Sequence, residues 1–200
     1  MIEPVPSNVF VAIATVVAAV IAGLISVVSL TLTKEQKTSE FRQAWIDGLR
    51  QDLSEYFAAA RAMARAYEEL ATFGTQYADM PFTLPQGQVA AIRQNVAVVF
   101  YRIKLRLNPE EAEHKELLRL LSRVTEQQNE QFRAKSSDPM SVLQAIEAAS
   151  DFAQPVLKAE WNRVKQGEPQ FRLVRNWLVP AVFVLCALFA WLLVSVRIAG

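Results

Sequence analysis

The sequence has little of what chemistry at a metal or a nucleophile needs: one cysteine and one histidine among 200 residues. A single cysteine excludes a disulfide framework, and one cysteine with one histidine cannot complete a structural zinc site. Charge of one sign is lacking too, because 21 lysines and arginines stand against 20 acidic residues. This balance argues against a nucleic-acid partner. No glycine-rich phosphate loop, HExxH, GxSxG or CxxC motif occurs, so we expect neither an enzyme nor a cofactor or metal centre.

Two long stretches without any charged residue are present instead. The first, Val9–Leu32, has 24 residues, and the second, Asn176–Val196, has 21. A helix of about 20 apolar residues crosses the hydrocarbon layer of a bilayer. A secretory signal would begin with basic residues and have a shorter apolar run. The pattern therefore predicts two transmembrane helices, with Pro180 in the first turns of the second, where a missing N–H costs little.

The flanks of the two stretches predict their orientation. Basic residues near a span stay on the cytoplasmic side, and here they lie between the stretches, at Lys34, Lys37, Arg42, Arg172 and Arg175. We therefore predict a membrane protein whose middle domain is cytoplasmic and whose two termini are outside. The predicted segments are an external N-terminus (1–8), transmembrane helix 1 (9–33), a cytoplasmic helical domain (34–171), transmembrane helix 2 (176–196) and an external C-terminus (197–200).

The middle domain is predicted to be an all-α bundle of four helices. Apolar residues recur at steps of three and four from about Ser39 to Leu70, which is typical of one helical face. A segment with two prolines and two glycines, 72–88, then predicts a loop. The same spacing predicts a second helix over Val89–Leu107, with its apolar side at Val89, Ile92, Val96, Val99, Phe100, Ile103 and Leu107.

Two start signals predict the remaining helices. Asn108 followed by Pro109 suits an N-cap and a first helical position, and this third helix extends to about Phe132. Asp138 with Pro139 repeats the signal for a fourth helix that ends before Gly167. Pro155 is expected to kink the fourth helix.

A stripe of small and hydroxyl-bearing residues follows one side of the first apolar stretch. Small residues let transmembrane helices approach closely, and hydroxyls can bond across the contact. Packing against the second apolar helix, self-association and the lining of a pore in an oligomer all explain such a stripe. Its residues, which we take as candidate helix-contact or lining positions, are Thr15, Ala18, Ala22, Ser26, Ser29 and Thr33.

The second predicted helix carries four basic residues and no acid. It is a candidate contact for anionic lipid headgroups, for nucleic acid or for an acidic partner. The alternative is pairing with the first helix of the domain, which is rich in acids. The basic residues are Arg93, Arg102, Lys104 and Arg106.

The only histidine, His114, lies in the polar run that opens the third helix. A ribonuclease of the HEPN type would require an arginine and a histidine four to six residues apart. Arg106 is farther away than that, beyond the Asn108-Pro109 break. We therefore expect His114 to be a solvated surface residue.

Two stretches resemble known sequence patterns. Ser39–Leu53, SEFRQAWIDGLRQDL, resembles a segment that follows the N-terminal span of small uncharacterised bacterial membrane proteins, and Arg106–Leu117, RLNPEEAEHKEL, resembles a segment of the same proteins. The layout of two spans around a cytoplasmic helical domain is similar to two-span membrane effectors of anti-phage systems, such as those of some retrons. These resemblances imply a location in a bacterial inner membrane, and the second implies damage to that membrane upon infection. They carry over no catalytic residues.

The prediction of function combines these observations. We expect a non-enzymatic, oligomeric membrane protein that perturbs the membrane or forms a pore, controlled through its cytoplasmic domain. The expected partners are the lipid bilayer, further copies of the chain and a cytoplasmic protein. The alternative is a membrane-anchored scaffold or adaptor that only localises a cytoplasmic partner.

Overall fold

The computed structural model describes residues 7–79, 83–167 and 169–199, and residues 1–6 of the predicted external N-terminus lie outside this part. The described part is helical and contains no strand, which confirms the all-α prediction. Its elements are α1 (Ser7–Phe73), a 3₁₀ segment (Gly74–Asp79), α2 (Gln86–Arg106), α3 (Ala112–Ala134), α4 (Met140–Gln166), α5 (Pro169–Leu173), a π-helical turn (Val174–Leu178) and α6 (Val179–Ala199).

The chain divides into two compact units. Residues 42–163 form one, which we call the helical bundle, and residues 1–41 with 164–200 form the other, which we call the apolar unit. Helix α1 contributes its first half to the apolar unit and its second half to the bundle.

Four helices share the core of the bundle. The predicted apolar faces of α1, α2 and α3 are confirmed, since residues such as Leu53, Ile103 and Leu121 are fully or almost fully buried. Phe41 and Leu70, at the two ends of the predicted face of α1, are exposed instead. The core also takes small residues of α1 and α4, which let these helices lie close: Ala60, Ala64, Ala145, Ala149 and Ala153.

Polar contacts tie α1 to its neighbours within this core. The hydroxyl of Tyr56, which has no exposed surface, donates to the carbonyl of Leu121 at 2.9 Å. Burial raises the pKa of Tyr56, so the hydroxyl stays a donor. The indole Nε1 of Trp45 donates to the carbonyl of Arg106 at 3.2 Å. The first contact fixes α1 to α3, and the second fixes α1 to the end of α2.

The helix boundaries follow some of the start and stop signals and differ at others. The predicted loop 72–88 contains the end of α1, the 3₁₀ segment and the start of α2 at Gln86. Helix α3 begins at Ala112 and not at the predicted Asn108–Pro109 start. The Asn108 Oδ1 accepts the N–H of Glu110 at 3.1 Å, but Glu111 then has an extended backbone with φ −84° and ψ 126°, which separates this turn from the helix. The Asp138 Oδ1 accepts the N–H of Met140 at 2.9 Å, and α4 begins there as predicted. Gly167 ends α4 with a φ of 70°, which favours glycine.

The apolar unit contains two helices that are long and apolar enough to cross a membrane. The windows lie in Val11–Gln76, with mean hydropathy 2.8, and in Phe171–Trp191, with mean hydropathy 1.9. The second differs from the prediction because the helical run already begins at Pro169, which places Pro180 inside it. A proline ring crowds the carbonyl four residues back. The backbone widens just ahead of it, where the Val179 N–H donates to the Val174 carbonyl, five residues back.

Candidate functional site

The stripe of small residues lies on the surface of the apolar unit. All six of its members, from Thr15 to Thr33, are exposed. The positions of α1 that are partly covered form a different face, about a third of a turn or more away at 3.6 residues per turn. The covered positions are Ala14, Val17, Ile21, Leu24, Val28 and Thr31.

This arrangement corrects one explanation of the stripe. Packing against the second apolar helix required the stripe to be the covered face of α1. In α6 and the turn before it, the described positions that are buried or partly covered are Val174, Leu178, Val179, Val182, Cys186, Phe189 and Ser195. The compact unit thus uses the other face of α1 and leaves the small residues outward. Self-association or pore lining remain as explanations for their pattern.

The hydroxyls of the stripe differ in their hydrogen bonds. Thr15 donates to the carbonyl of Val11 and Thr33 to that of Ser29, each at 2.9 Å. Such bonds to the carbonyl four residues back satisfy the donor inside its own helix. Within the part of the chain that the structure describes, the hydroxyls of Ser26 and Ser29 have no such bond. The hydroxyls of these two serines are therefore available to donate hydrogen bonds to an adjacent helix.

Two of the four basic residues of α2 are paired inside the bundle. Arg106 Nε lies 2.7 Å from Asp52 Oδ2, and Arg102 Nη2 lies 2.6 Å from Glu55 Oε2. Arg102 Nε also reaches Asp52 Oδ1 at 3.3 Å. Asp52 is 4% exposed, so its two guanidinium partners provide the compensation that a buried carboxylate requires. The structure therefore gives Arg102 and Arg106 the pairing with α1 that the sequence offered as the alternative.

The carboxylate of Glu55 belongs to the same network. The side-chain amide of Asn95 donates to its Oε1 at 2.9 Å. The bond from Asn95, and then that from Arg102, lower the pKa of Glu55. Glu55 therefore stays ionised at neutral pH, and its hydrogen bonds tie α2 to α1 along the side of the bundle.

The other two basic residues, Arg93 and Lys104, are exposed. The ammonium of Lys104 lies 6.0 Å from the ring centroid of Tyr101, at the outer limit of a cation–π contact. Arg93 borders two adjoining cavities of the bundle. A role in contacting lipid or a partner therefore rests on Arg93 and Lys104 more than on the paired arginines.

The surface position predicted for His114 is wrong, because this side chain is buried with 3% of its surface exposed. Its Nδ1 accepts the backbone N–H of Asn108 at 3.2 Å, and its ring lies 5.9 Å from that of Trp45. The polar neighbours in sequence suggested a solvated residue. The spacing to Leu117 and Leu121, three and seven residues on, was the signal that places His114 on the core face of α3.

An ion-pair cluster surrounds His114. Arg163 Nη1 lies 2.9 Å from Glu111 Oε2 and 2.6 Å from Glu160 Oε1. The His114 Nε2 lies 3.8 Å from the same Glu160 oxygen. The hydrogen bond from Arg163 is the largest cause that lowers the pKa of Glu111. Arg163 thus neutralises two carboxylates, of which Glu160 is buried.

The chemistry of this cluster disfavours a metal ion. One ligand atom each of Glu111, His114 and Glu160 lie within 4.8 Å of one another. A metal on Nε2 requires the imidazole proton on Nδ1. Nδ1, however, faces the N–H donor of Asn108, so the neutral ring carries its proton on Nε2. The guanidinium of Arg163 on both carboxylates opposes a cation further. We interpret the cluster as a structural ion-pair network that joins α3 to α4.

No family model, no curated protein and no solved structure matches this chain. The resemblances of Ser39–Leu53 and Arg106–Leu117 to bacterial membrane proteins therefore remain predictions. The contacts of these two segments are structural ones. The first supplies Trp45, Leu49 and Asp52 to the bundle, and the second supplies the turn and His114.

Proposed function

We propose that this chain is a non-enzymatic protein of a bacterial inner membrane that associates with further copies of itself and perturbs the bilayer. In this proposal both apolar helices span the membrane, and the helical bundle is cytoplasmic. The bundle binds a cytoplasmic partner and so controls the action of the apolar helices on the bilayer, and the layout is similar to that of two-span membrane effectors of anti-phage systems. A pore lined by α1 is the most specific form of the proposal.

The outward position of the small-residue stripe carries this proposal. In a bilayer, helix association depends on close packing and on hydrogen bonds across the contact, since lipid chains are as apolar as leucine. An outward face built of Ala18, Ala22 and Ser26 permits that close approach. Many outward residues elsewhere on the two helices are bulky, as at Trp177, Phe183 and Leu188, although small ones such as Ala19 and Ala187 are exposed too. The stripe is the continuous run of small and hydroxyl-bearing residues along α1, and this run suits the close approach of another helix.

The oligomeric mass of the full chain in lipid nanodiscs tests the proposal. We expect four or more copies for the native sequence and a smaller assembly for Ala22→Leu with Ser26→Leu, because the added bulk separates the helices. The matched control is Val16→Leu with Val20→Leu, which adds bulk to exposed positions on another side of α1. A monomer for the native chain, or equal masses for the stripe variant and the native chain, contradicts self-association through the stripe.

A second candidate, the membrane-anchored scaffold, is favoured by α2. Val98, Tyr101 and Leu105 recur at helical spacing and are 50%, 59% and 87% exposed. An exposed apolar face of this kind suits the docking of a partner protein. Replacement of both apolar helices by unrelated apolar helices distinguishes the two functions. If the apolar helices act on the bilayer, expression of the native chain should lower the membrane potential and expression of the variant with replaced helices should not. If the chain is a scaffold, the variant should still localise its partner.

A further inference from the structure

The helical bundle contains a groove between α1, α2 and α3. It is a cavity of about 250 Å³, whose apolar wall consists of Met63, Tyr67, Leu70, Val89 and Phe132. A second cavity of about 440 Å³ adjoins it and shares Met63, Arg93, Gln128 and Asn129. Sites for small molecules combine such an apolar lining with a few convergent polar groups. The polar groups of the groove therefore determine what it can hold.

A buried amide in the groove lacks a hydrogen-bond partner. Gln131 is 5% exposed, and its Nε2 has no acceptor among the residues that the structure describes. Gln128, one turn earlier on α3, is 8% exposed and donates its Nε2 to the carbonyl of Ala60 at 3.0 Å. The two glutamines lie on the same face of α3, but only the Nε2 of Gln128 has a hydrogen-bond acceptor. A buried donor without an acceptor is costly, so Gln131 is suited to an acceptor supplied by a ligand.

The charge of the groove has one sign. Arg93 is the only charged side chain that lines it, and no ion pair of Arg93 occurs within the described ranges. Arg102 and Arg106 on the same helix both have carboxylate partners. Glu68, Glu69 and Glu130 neighbour groove residues in sequence but do not line the groove, and Glu126 lines the larger cavity alone. An anionic group is therefore the complement of Arg93 in the groove.

Two aromatic rings form part of the apolar wall of the groove. The rings of Tyr67 and Phe132 lie 5.6 Å apart, and the Tyr67 hydroxyl reaches the Phe132 carbonyl at 3.4 Å. Phe132 and Leu70 are 65% and 46% exposed. An apolar chain laid against these side chains would remove their surface from water, which is favourable in proportion to the area covered.

We propose that this groove binds a single-chain anionic amphiphile, a carboxylate with an aliphatic body of the fatty-acid class. Its carboxylate accepts from Arg93 and from the Gln131 amide, and its chain covers Met63, Tyr67 and Phe132. The size of the groove fits one chain and not the two chains of a phospholipid. This inference does not depend on self-association or on the action of the apolar helices.

Equilibrium binding of radiolabelled decanoate to the full chain in nanodiscs of neutral phospholipid tests the proposal. Empty nanodiscs give the partition of the probe into lipid, which is subtracted. We expect saturable binding with one site per chain. Arg93→Gln and Gln131→Leu should each weaken it at least tenfold, and decanol should bind at least tenfold more weakly than decanoate. The matched control is Arg123→Gln, an exposed arginine of α3 that lies outside both cavities and should leave binding unchanged.

Three results overturn the proposal. One is binding no greater than that of empty nanodiscs. Another is equal binding of decanoate to Arg93→Gln and to the native chain when circular dichroism shows both folded. The third is a phospholipid, retained in native mass spectra and displaced only by phospholipid, which would make the occupant a two-chain lipid. If the oligomer test contradicts the proposed function, the three results of the binding experiment can still be measured. The two proposals can therefore be overturned independently.

Discussion

The guanidinium of Arg106 occupies the space that a side chain at Gly48 would need. A Cβ on Gly48 would lie 2.7 Å from Arg106 Nη1 and 2.9 Å from its Cζ. From this position Arg106 reaches the buried carboxylate of Asp52. A glycine in the interior of α1 costs about 1 kcal/mol relative to alanine. Here that cost permits the close approach of an arginine to the helix.

The first prediction follows from this contact. Gly48→Leu should displace Arg106 and leave Asp52 with Arg102 alone, and we expect a loss of about 1–3 kcal/mol of unfolding free energy. Denaturation of the full chain in nanodiscs, followed by circular dichroism, measures it. Gly87→Leu is the control, because nothing lies within 4 Å of its Cβ position. Equal effects of the two variants would contradict the role of Arg106.

The second prediction concerns the buried hydroxyl of Tyr56. Tyr56→Phe removes a hydrogen bond to Leu121 inside the core and should destabilise the bundle by about 1 kcal/mol. Tyr67→Phe is the matched control, since its bond to Phe132 is exposed and longer, at 3.4 Å. We expect almost no change for the control in the same denaturation experiment. A larger loss for Tyr67→Phe than for Tyr56→Phe would be inconsistent with this account.

The third prediction is a loss of stability at acid pH. The pKa of Glu111 is lowered in the folded chain by the bond from Arg163. Its ionised form therefore stabilises the fold above the unfolded value of 4.5, and this contribution disappears as the pH falls through the folded pKa. Because both side chains are partly exposed, we expect less than about 1 kcal/mol. Denaturation at a series of pH values should show a shallower acid slope for Glu111→Gln, and an unchanged slope for the exposed Glu147→Gln.

The fourth prediction separates structure from catalysis at His114. His114→Ala leaves a cavity in the core face of α3 and removes the acceptor of the Asn108 N–H, which should cost about 2–4 kcal/mol. His114→Asn should recover part of that loss, since an amide oxygen can accept the same N–H. If His114→Ala abolished biological activity while leaving the denaturation curve unchanged, the side chain would have a chemical role instead.

The fifth prediction is the orientation in the membrane. In a Cys186→Ser background, a cysteine at residue 7 should react with an impermeant maleimide added outside intact spheroplasts. A cysteine in place of Ser137, between α3 and α4, should react only after permeabilisation. This expectation depends on the basic flanks, because basic residues stay in the cytoplasm. Labelling of residue 137 in intact spheroplasts would reverse the proposed topology.

The helices were accessible to sequence reasoning because their signals are local. The core faces of α2 and α3 follow steps of three and four, and Asp138 and Gly167 lie at the predicted ends of helices. The start of α3 was misplaced since an asparagine side chain serves a turn as readily as a helix cap. The pattern at Asn108 does not distinguish these two uses.

The features of the candidate site depend on which helix faces pack against one another. Such packing depends on residues far apart in sequence, so it is not a local property of the sequence. The stripe from Thr15 to Thr33 was visible, yet whether it faced inward depended on the packing of α1 in the apolar unit. His114 was judged from its polar neighbours, although its phase with Leu117 indicated burial. The pairing of Arg102 and Arg106 with acids of α1 was foreseeable as one of two alternatives. The groove at Arg93 and Gln131 was not foreseeable, since its lining comes from three helices whose relative positions the sequence pattern does not give.

The π-helical turn before Pro180 also has a consequence for any change in length. A turn with bonds to the fifth residue holds one residue more than an α-helical turn, so the faces before and after it are offset by about 100°. The covered face that runs from Val174 to Val182 and Cys186 already includes this offset. Deleting Asn176 would give a regular helix whose later residues are all rotated. Trp191 would then point in a new direction, although only the side chain of Asn176 had been removed.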